Sequence, residues 1–271
     1  MKVSLIISTY NWPAALDVCL KSLLRQSRLP DEVIIADDGS GEETAELIQS
    51  YKSRFQIMIK HVWHPDEGFQ LAAIRNKAIL IATGDYIIQI DGDLILHQNF
   101  IEDHCKLATP GRFVSGSRLL LPENFSKDIL RKRSLPTSLS LFIRGENRLN
   151  ATRVPLLTRL LAPVYKKKQP FYVKGCNMAF WREDLLRVNG YNEAIIGWGK
   201  EDSELAVRLI KSGVTRLFIK FGGICYHLYH KIASRHRESI NDEILEQAIN
   251  RKNPYVSIGI DTHEKDTVII Y

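Results

Sequence analysis

Long apolar runs are missing from this chain. Residues 3–7 are apolar except for Ser4, and no other run approaches the roughly 20 residues of a membrane-spanning helix or the h-region of a secretory signal. A soluble, cytoplasmic protein is the expectation. Cysteine is scarce: Cys19, Cys105, Cys176 and Cys225 stand far apart and form no C-x-x-C. That excludes a zinc ribbon and a disulfide framework and suits a reducing compartment. A glycine-rich phosphate loop is also lacking. The first apolar stretch runs into STYNWP where a dinucleotide-binding chain would carry G-x-G-x-x-G. The same absence counts against a nucleotidyltransferase that makes activated sugars. Internal repeats and low-complexity segments are absent as well.

What is present suits one large α/β domain or two small ones: 271 residues, 45% hydrophobic and 25% charged. A net charge of +6 and a pI near 9.1 call for an anionic partner. Apolar stretches at residues 2–8, 32–36, 55–62 and 86–90 alternate with helical patterns at 11–26, 42–52 and 70–82, with Asn11 as the N-cap of the first helix. Such alternation predicts a mostly parallel, Rossmann-like sheet with right-handed crossovers. Three of the strands end in polar clusters: Ser8-Thr9-Tyr10-Asn11, Asp37-Asp38-Gly39-Ser40 and Asp91-Gly92-Asp93. In a parallel sheet these ends share one edge, the edge that binds ligands in open α/β folds.

Asp91 and Asp93 flank a glycine, and Asp-Gly alone would be explained as a turn. Placed at that edge, two carboxylates make a hard-cation site that leaves positions open for phosphate. Asp38 could accept a hydrogen bond from a base or ribose, and Arg75 could reach phosphate oxygens. Further on, Gly197-Trp198-Gly199-Lys200-Glu201-Asp202 opens a helix. Acidic residues favour first turns for stability alone, but the helix dipole also keeps a general base ionised there. An indole between two glycines fits poorly in a core and well against a sugar ring. His227 and His230 follow another apolar strand, and on the residues alone neither is assigned to a metal.

Residues 127–168 carry eleven Lys/Arg against Asp128 and Glu146, a local charge of +9. This predicts an insertion with short helices. It is either a solvated face or a dock for an anionic acceptor or anionic lipid.

The segments STYN, ADDGS, DEGFQLAAIRN and IDGD, in this order, resemble inverting glycosyltransferases of the GT-A fold, the group called family 2. VKGCNMAFWREDLL and GWGKEDSELAVRL resemble the second half of bacterial members related to chondroitin-type polymerases. The GWGxED segment is similar to β-1,4-galactosyltransferases. The resemblance covers residues 3–118 and 172–230 and leaves the basic segment unaligned.

It implies that Ser8, Tyr10, Asp38 and Arg75 contact the nucleotide. Asp91 and Asp93 become the D-x-D pair, with Asp93 the direct ligand of Mn²⁺ or Mg²⁺, and His227, ahead of His230, completes the metal site. Asp202 is the implied catalytic base, Glu201 an acceptor or donor-sugar contact, and Trp198 a contact to the acceptor sugar. The implied partners are a nucleotide-sugar donor, a uridine diphosphate sugar above all, and a glycan or glycolipid acceptor. A peripheral contact with the inner face of an anionic membrane is included, and nucleic acid is not. A non-catalytic anionic-polymer binder would leave Asp91-Gly92-Asp93 and the Gly-Trp-Gly segment unused. One GT-A domain over residues 1–271 is expected, with a nucleotide-sugar half at 1–118, a basic insertion at 123–170, an acceptor half at 171–235, and a C-terminal helix and tail at 236–271.

Overall fold

The computed structural model describes residues 1–145, 151–231, 234–264 and 269–270. Glu146 and Arg148 of the basic segment lie outside them. Strands β1 (Val3–Thr9), β2 (Glu32–Asp37), β3 (Met58–Trp63) and β4 (Tyr86–Asp91) alternate with helices α1 (Pro13–Leu23), α2 (Glu42–Lys52) and α3 (Leu71–Ile81). These four strands pair in parallel in the order β3-β2-β1-β4, as the alternation predicts. Beyond β4 the direction changes. β8 (Asn177–Trp181) is antiparallel to both β4 and β6 (Arg112–Gly116), β9 (Thr215–Ile219) is parallel to β6, and β11 (Ile269–Ile270) closes the far edge antiparallel to β3. The eight-stranded sheet is mixed and mostly parallel.

Two apolar layers cover it, because successive strand residues point to opposite faces. Leu5, Ile7, Val33, Ile35 and Ile88 pack with Leu16 and Leu20 of α1, Ile48 of α2 and Phe100 of α4 (Phe100–Leu107). Ile6, Ile34 and Ile87 pack on the other side with Ile74, Ala78 and Ile79 of α3 and Leu205 and Leu209 of α9 (Glu201–Lys211).

A second sheet has three short strands, β5 (Leu94–Leu96), β7 (Leu119–Leu120) and β10 (Cys225–His227), with β10 in the middle. Strands of two or three residues carry no periodic signal, so the sequence does not announce them. The apolar run 172–180 is a strand only from Asn177 on, in β8. Asn177 N donates to the Lys174 carbonyl at 2.9 Å, and the turn so formed makes 172–176 a loop. Asn11 is not the cap of α1 either. Trp12 holds that place, while Asn11 adopts a left-handed φ of 43° and its Oδ1 accepts from Gly41 N at 2.9 Å. The basic segment forms α5 (Glu123–Lys132), α6 (Ser138–Arg144) and α7 (Pro155–Leu161), and short helices are what its composition predicts. The remaining helices are α8 (Arg182–Arg187) and α10 (Glu238–Asn250).

Far from the ligand-binding edge, Glu32 ties three strands together. Its carboxylate accepts from Ser4 Oγ at 2.6 Å, Thr83 N at 2.6 Å and Lys60 Nζ at 2.7 Å. Burial alone would raise its pKa, but the Lys60 ammonium and these hydrogen bonds outweigh it and hold the group at about 2. A folded-state pKa below the ordinary value means stability that is present above the unfolded pKa and lost as pH falls through the folded one. The contribution is about 3 kcal/mol. Urea unfolding at stepped pH should show stability falling from about pH 5 towards pH 2 in the native protein. Glu32→Gln should flatten that part of the profile, and an unchanged slope in the variant would rule the assignment out.

Candidate functional site

The strand registers bring the polar ends together. Ser8 lies opposite Asp91 across β1 and β4, and Thr9 lies opposite Asp37 across β1 and β2. Asp37 turns inward, fully buried, accepting from Ser40 N at 2.8 Å and pairing with His61 Nε2 at 2.8 Å. Asp38 takes the other direction and lines a cavity of about 190 Å³ with Ser8, Tyr10, Trp12, Asp91, Asp93 and His230. His64 Nε2 donates to Asp38 at 2.7 Å, and Gln70 N donates to its second oxygen at 3.0 Å. Lys77 Nζ lies 3.1 Å from His64 Nδ1. The ammonium can only donate, so Nε2 carries the imidazole proton towards Asp38. Tyr10 stands at the rim, its hydroxyl donating to Asp66 at 2.9 Å.

A second cavity of about 310 Å³ shares Phe69, Leu71 and Asp91 with the first. Arg75, Arg118, Lys174, Gly175, Trp198, Glu201 and Asp202 line it. Arg75 is buried at 1% exposure, and each arm of its fork has a partner. Nε donates to Ser8 Oγ at 3.2 Å, Nη1 to Glu201 at 3.3 Å and Nη2 to Asp91 at 2.9 Å. Its cation also faces the Tyr191 ring at 5.4 Å. The two carboxylates are thereby fixed on either side of one guanidinium. Burial, then the adjacent Asp202 charge, pushes Glu201 above the ordinary carboxylate range against the pull of Arg75.

Asp202 is held by backbone donors. Gly175 N donates to Oδ2 at 2.8 Å and Ser203 N to Oδ1 at 2.7 Å. Gly175 is anchored in turn, its carbonyl accepting from Gln89 Nε2 at 2.8 Å. The loop before α9 bends through left-handed φ values at Gly197 (79°), Gly199 (100°) and Lys200 (76°), which explains the glycines around Trp198. Asn241 of α10, fully buried, donates to the carbonyls of Ile196, Trp198 and Gly199 at 3.2–3.3 Å. Lys200 pairs with Asp242 at 2.8 Å. Arg235 lies 4.6 Å over one face of the Trp198 ring.

Asp93 meets two histidines. Its Oδ2 is 3.3 Å from Nε2 of His227 and 3.3 Å from Nε2 of His230. β10 pairs antiparallel with β5, placing His227 opposite Leu94, and Leu228 N donates to the Asp93 carbonyl at 3.0 Å. Among the described residues, these three form a group able to hold a metal ion. Two atoms bound about 2.1 Å from one ion at tetrahedral or octahedral angles lie about 3.0–3.4 Å apart, so the spacing fits. Asp93 Oδ1 is buried with no hydrogen-bond partner, an orphan that a cation would satisfy. Burial lowers His227 to about 4, leaving it neutral and able to ligate at pH 7. Asp91 is not in this group, and Arg75 takes its Oδ1.

The structure thus gathers Ser8, Tyr10, Asp38, Arg75, Asp91, Asp93, Trp198, Glu201 and Asp202 around two adjoining cavities, with His227 behind Asp93. It sets His230 beside Asp93 at the same distance as His227. Arg118, His64 and Asn241 were not singled out by the sequence. Arg118, half-buried, donates to Cys176 Sγ at 3.4 Å; burial alone would lower its pKa, but Cys176, Asp91 and Asp93 together raise it. No local pattern marks any of the three, since each acts across long chain separations.

Two outcomes test this geometry without reference to any reaction. Asp93→Ala should weaken Mn²⁺ binding, read by calorimetry, by more than about 100-fold. His227→Ala should weaken it more than His230→Ala does, and wild-type affinity in Asp93→Ala would remove the site. Asn241→Leu should cost about 1–3 kcal/mol in denaturant unfolding by stranding buried carbonyls. Hydrogen exchange at residues 197–200 should accelerate in that variant, and unchanged protection there would mean that Asn241 does not hold the loop.

Two family models match the chain: glycosyl transferase family 2 over residues 4–185, and the N-terminal domain of galactosyltransferase over residues 161–231. Chondroitin synthase of Pasteurella multocida (strain Pm70) is 30% identical over 243 residues, 83% of this chain and 24% of that protein. Validoxylamine A glucosyltransferase of Streptomyces hygroscopicus subsp. limoneus is 28% identical over 225 residues, 78% of this chain and 48% of the relative. The chain therefore spans about a quarter to a half of the length of these curated relatives. Among solved structures, S. aureus TarS 1-349 in complex with UDP superposes with a TM-score of 0.64 at 15% identity, covering 98% of this chain and 69% of that one. The mannosyltransferase PcManGT of Pyrobaculum calidifontis, in complex with GDP-Man and Mn²⁺, gives 0.62 at 19% identity, covering 92% and 64%. The expected GT-A fold is the one found. On the first of the two family models, which matches well over half of its length, the chain belongs to glycosyl transferase family 2.

Proposed function

We propose that this chain is a metal-dependent inverting glycosyltransferase. It would move a sugar from a nucleotide donor, a uridine diphosphate sugar, to a hydroxyl of a glycan or glycolipid. The observation that carries the reading is the orphaned Asp93 Oδ1 beside two histidines, next to the Glu201-Asp202 pair across a shared wall. Support for the donor comes from the neighbouring fold that binds UDP.

Ser8, Tyr10 and Asp38 face the first cavity, where the nucleotide would lie. The Asp38 oxygens keep lone pairs for a base or ribose donor beyond those used by His64 and Gln70. Asp93, His227 and His230 would hold Mn²⁺ or Mg²⁺, which when bound neutralises charge on the departing diphosphate. Asp202 accepts the proton of the acceptor hydroxyl as that oxygen attacks the anomeric carbon. The bond from that carbon to the diphosphate oxygen breaks in the same displacement, so an α-linked donor gives a β-glycoside. Gly175 N and Ser203 N orient the Asp202 carboxylate for this role. Arg235 covers one face of Trp198, and the acceptor sugar would stack on the other.

A growing bacterial-type surface glycan, in lipopolysaccharide or capsular polysaccharide synthesis, is the acceptor suggested by analogy with the relatives. The basic segment would supply the contact with an anionic membrane where such an acceptor is lipid-linked.

A panel of nucleotide sugars with Mn²⁺, scored for release of free nucleoside diphosphate, identifies the donor. Excess EDTA should abolish turnover, and full activity in EDTA would sink the metal-dependent reading. Asp202→Asn should lower transfer by about 10²–10⁴-fold with nucleotide affinity and melting temperature near wild type. If Asp202→Asn keeps transfer while Glu201→Gln loses it, the base is Glu201.

A further inference from the structure

Large apolar side chains stand outward on α6, at Leu139, Phe142 and Ile143, and again on and just after α7. Leu156 is 69% exposed, Leu160 60% and Val164 57%. Leu156 and Leu160, four residues apart, lie along one face of α7, and Val164 follows in the turn just after it. The opposite face is fixed to the body of the protein. Thr158 Oγ1 donates to the Phe221 carbonyl at 2.6 Å, and the Ala162 carbonyl accepts from Phe218 N at 2.9 Å. The row therefore cannot roll inward without breaking these bonds.

The charge along this stretch of chain has one sign. Residues 151–174 include Arg153, Arg159, Lys166, Lys167, Lys168 and Lys174 and no Asp or Glu. Arg153 is consumed by Asp103 at 2.7 Å, whereas Arg159, Lys167 and Lys168 are exposed. Lys166 sits 3.3 Å over the Tyr172 ring, an aromatic and cation pair of the kind found at membrane interfaces. Packing the row against a second copy would bring like charges face to face. A bilayer with anionic headgroups satisfies both features at once: apolar side chains enter the acyl boundary while the basic ones meet phosphates.

We propose that α7 and residues 164–168 dock this protein on a bilayer rich in anionic lipid. The strip leads within ten residues of chain to Lys174 and Gly175 in the wall of the second cavity, so docking would bring that cavity near lipid-linked material. The inference rests on the membrane-contact reading above, yet vesicle binding and nucleotide release are separate measurements, and either can fail without the other.

The test is sedimentation of the full chain with vesicles of phosphatidylglycerol and phosphatidylethanolamine, against phosphatidylcholine alone. Binding should require the anionic lipid and fall steeply with added salt, since surface charges are screened within about 10 Å at 0.1 M. The double variant Leu156→Ser/Leu160→Ser should bind about 10-fold more weakly, with an unchanged circular dichroism spectrum and unchanged nucleotide release. Leu160→Trp should add a blue-shifted emission, relative to wild type, only when anionic vesicles are present. Undiminished binding of the double serine variant would overturn the proposal, as would absence of that shift. A concentration-dependent dimer in the ultracentrifuge, abolished by the serine variant, would assign the row to a second copy and overturn it too.

Discussion

Burial of the Arg75 guanidinium is the constraint on which the site depends. A cation at 1% exposure is tolerated only when its donors are matched, and here the acceptors are Ser8, Asp91 and Glu201. They come from the end of β1, the end of β4 and the start of α9, which are remote in sequence. The planar fork sets not only their distances but their directions. A lysine would supply charge without that geometry. Tyr191 lies beside the guanidinium and donates to Gln89 at 2.9 Å, and Gln89 holds the Gly175 carbonyl. Because Gly175 N holds Asp202, the chain of contacts closes back on the neighbour of Glu201. Both carboxylates of the pair are thus placed by groups that do not move independently.

The Asp93 group is placed by a different device. β5 begins immediately after Asp93, and its antiparallel pairing with β10 sets His227 across from Leu94. A slip of one residue would turn His227 to the other face of the strand. The Leu228 N bond to the Asp93 carbonyl fixes this register, and Tyr226 packs into the apolar cluster with Ile95, Leu119 and Leu228. Three short strands thus perform a positioning task out of proportion to their length.

That division explains what the sequence disclosed. Ser8, Asp38 and Asp91 were legible because an alternating pattern implies a parallel sheet, and such a sheet brings strand ends to one edge. Asp202 and Trp198 were legible through a helix start and an indole between glycines, and resemblance supplied their roles. The pairing of residues 94–96 with 225–227 was not legible, because it is long-range and too short for periodicity. The resemblance put His227 ahead of His230, and the structure sets both 3.3 Å from Asp93. Asn11 looked like a helix cap because asparagine favours that position, but its side chain is used on Gly41 instead. Asn241 lay inside a charged helix with nothing to distinguish it until the loop it grips was in view.

The electrostatics of the two cavities bear on the proposed donor. Asp38, Asp91, Asp93, Glu201 and Asp202 line them, while Arg75 is already committed to Ser8 and two of these acids. Arg118, Lys174 and Lys200 add positive charge only at the second cavity, which Glu238 also lines. A diphosphate entering the first would face more carboxylates than cations, although the whole chain carries +6. The excess positive charge resides elsewhere, largely in residues 127–168 at +9. For the proposed anionic donor, a mobile cation entering with it or before it would offset the repulsion of the acidic cleft. The unpartnered Asp93 oxygen is where such an ion would find an unused ligand. Under the proposed function the metal would serve donor binding first, and its help to the leaving group would follow from the same placement.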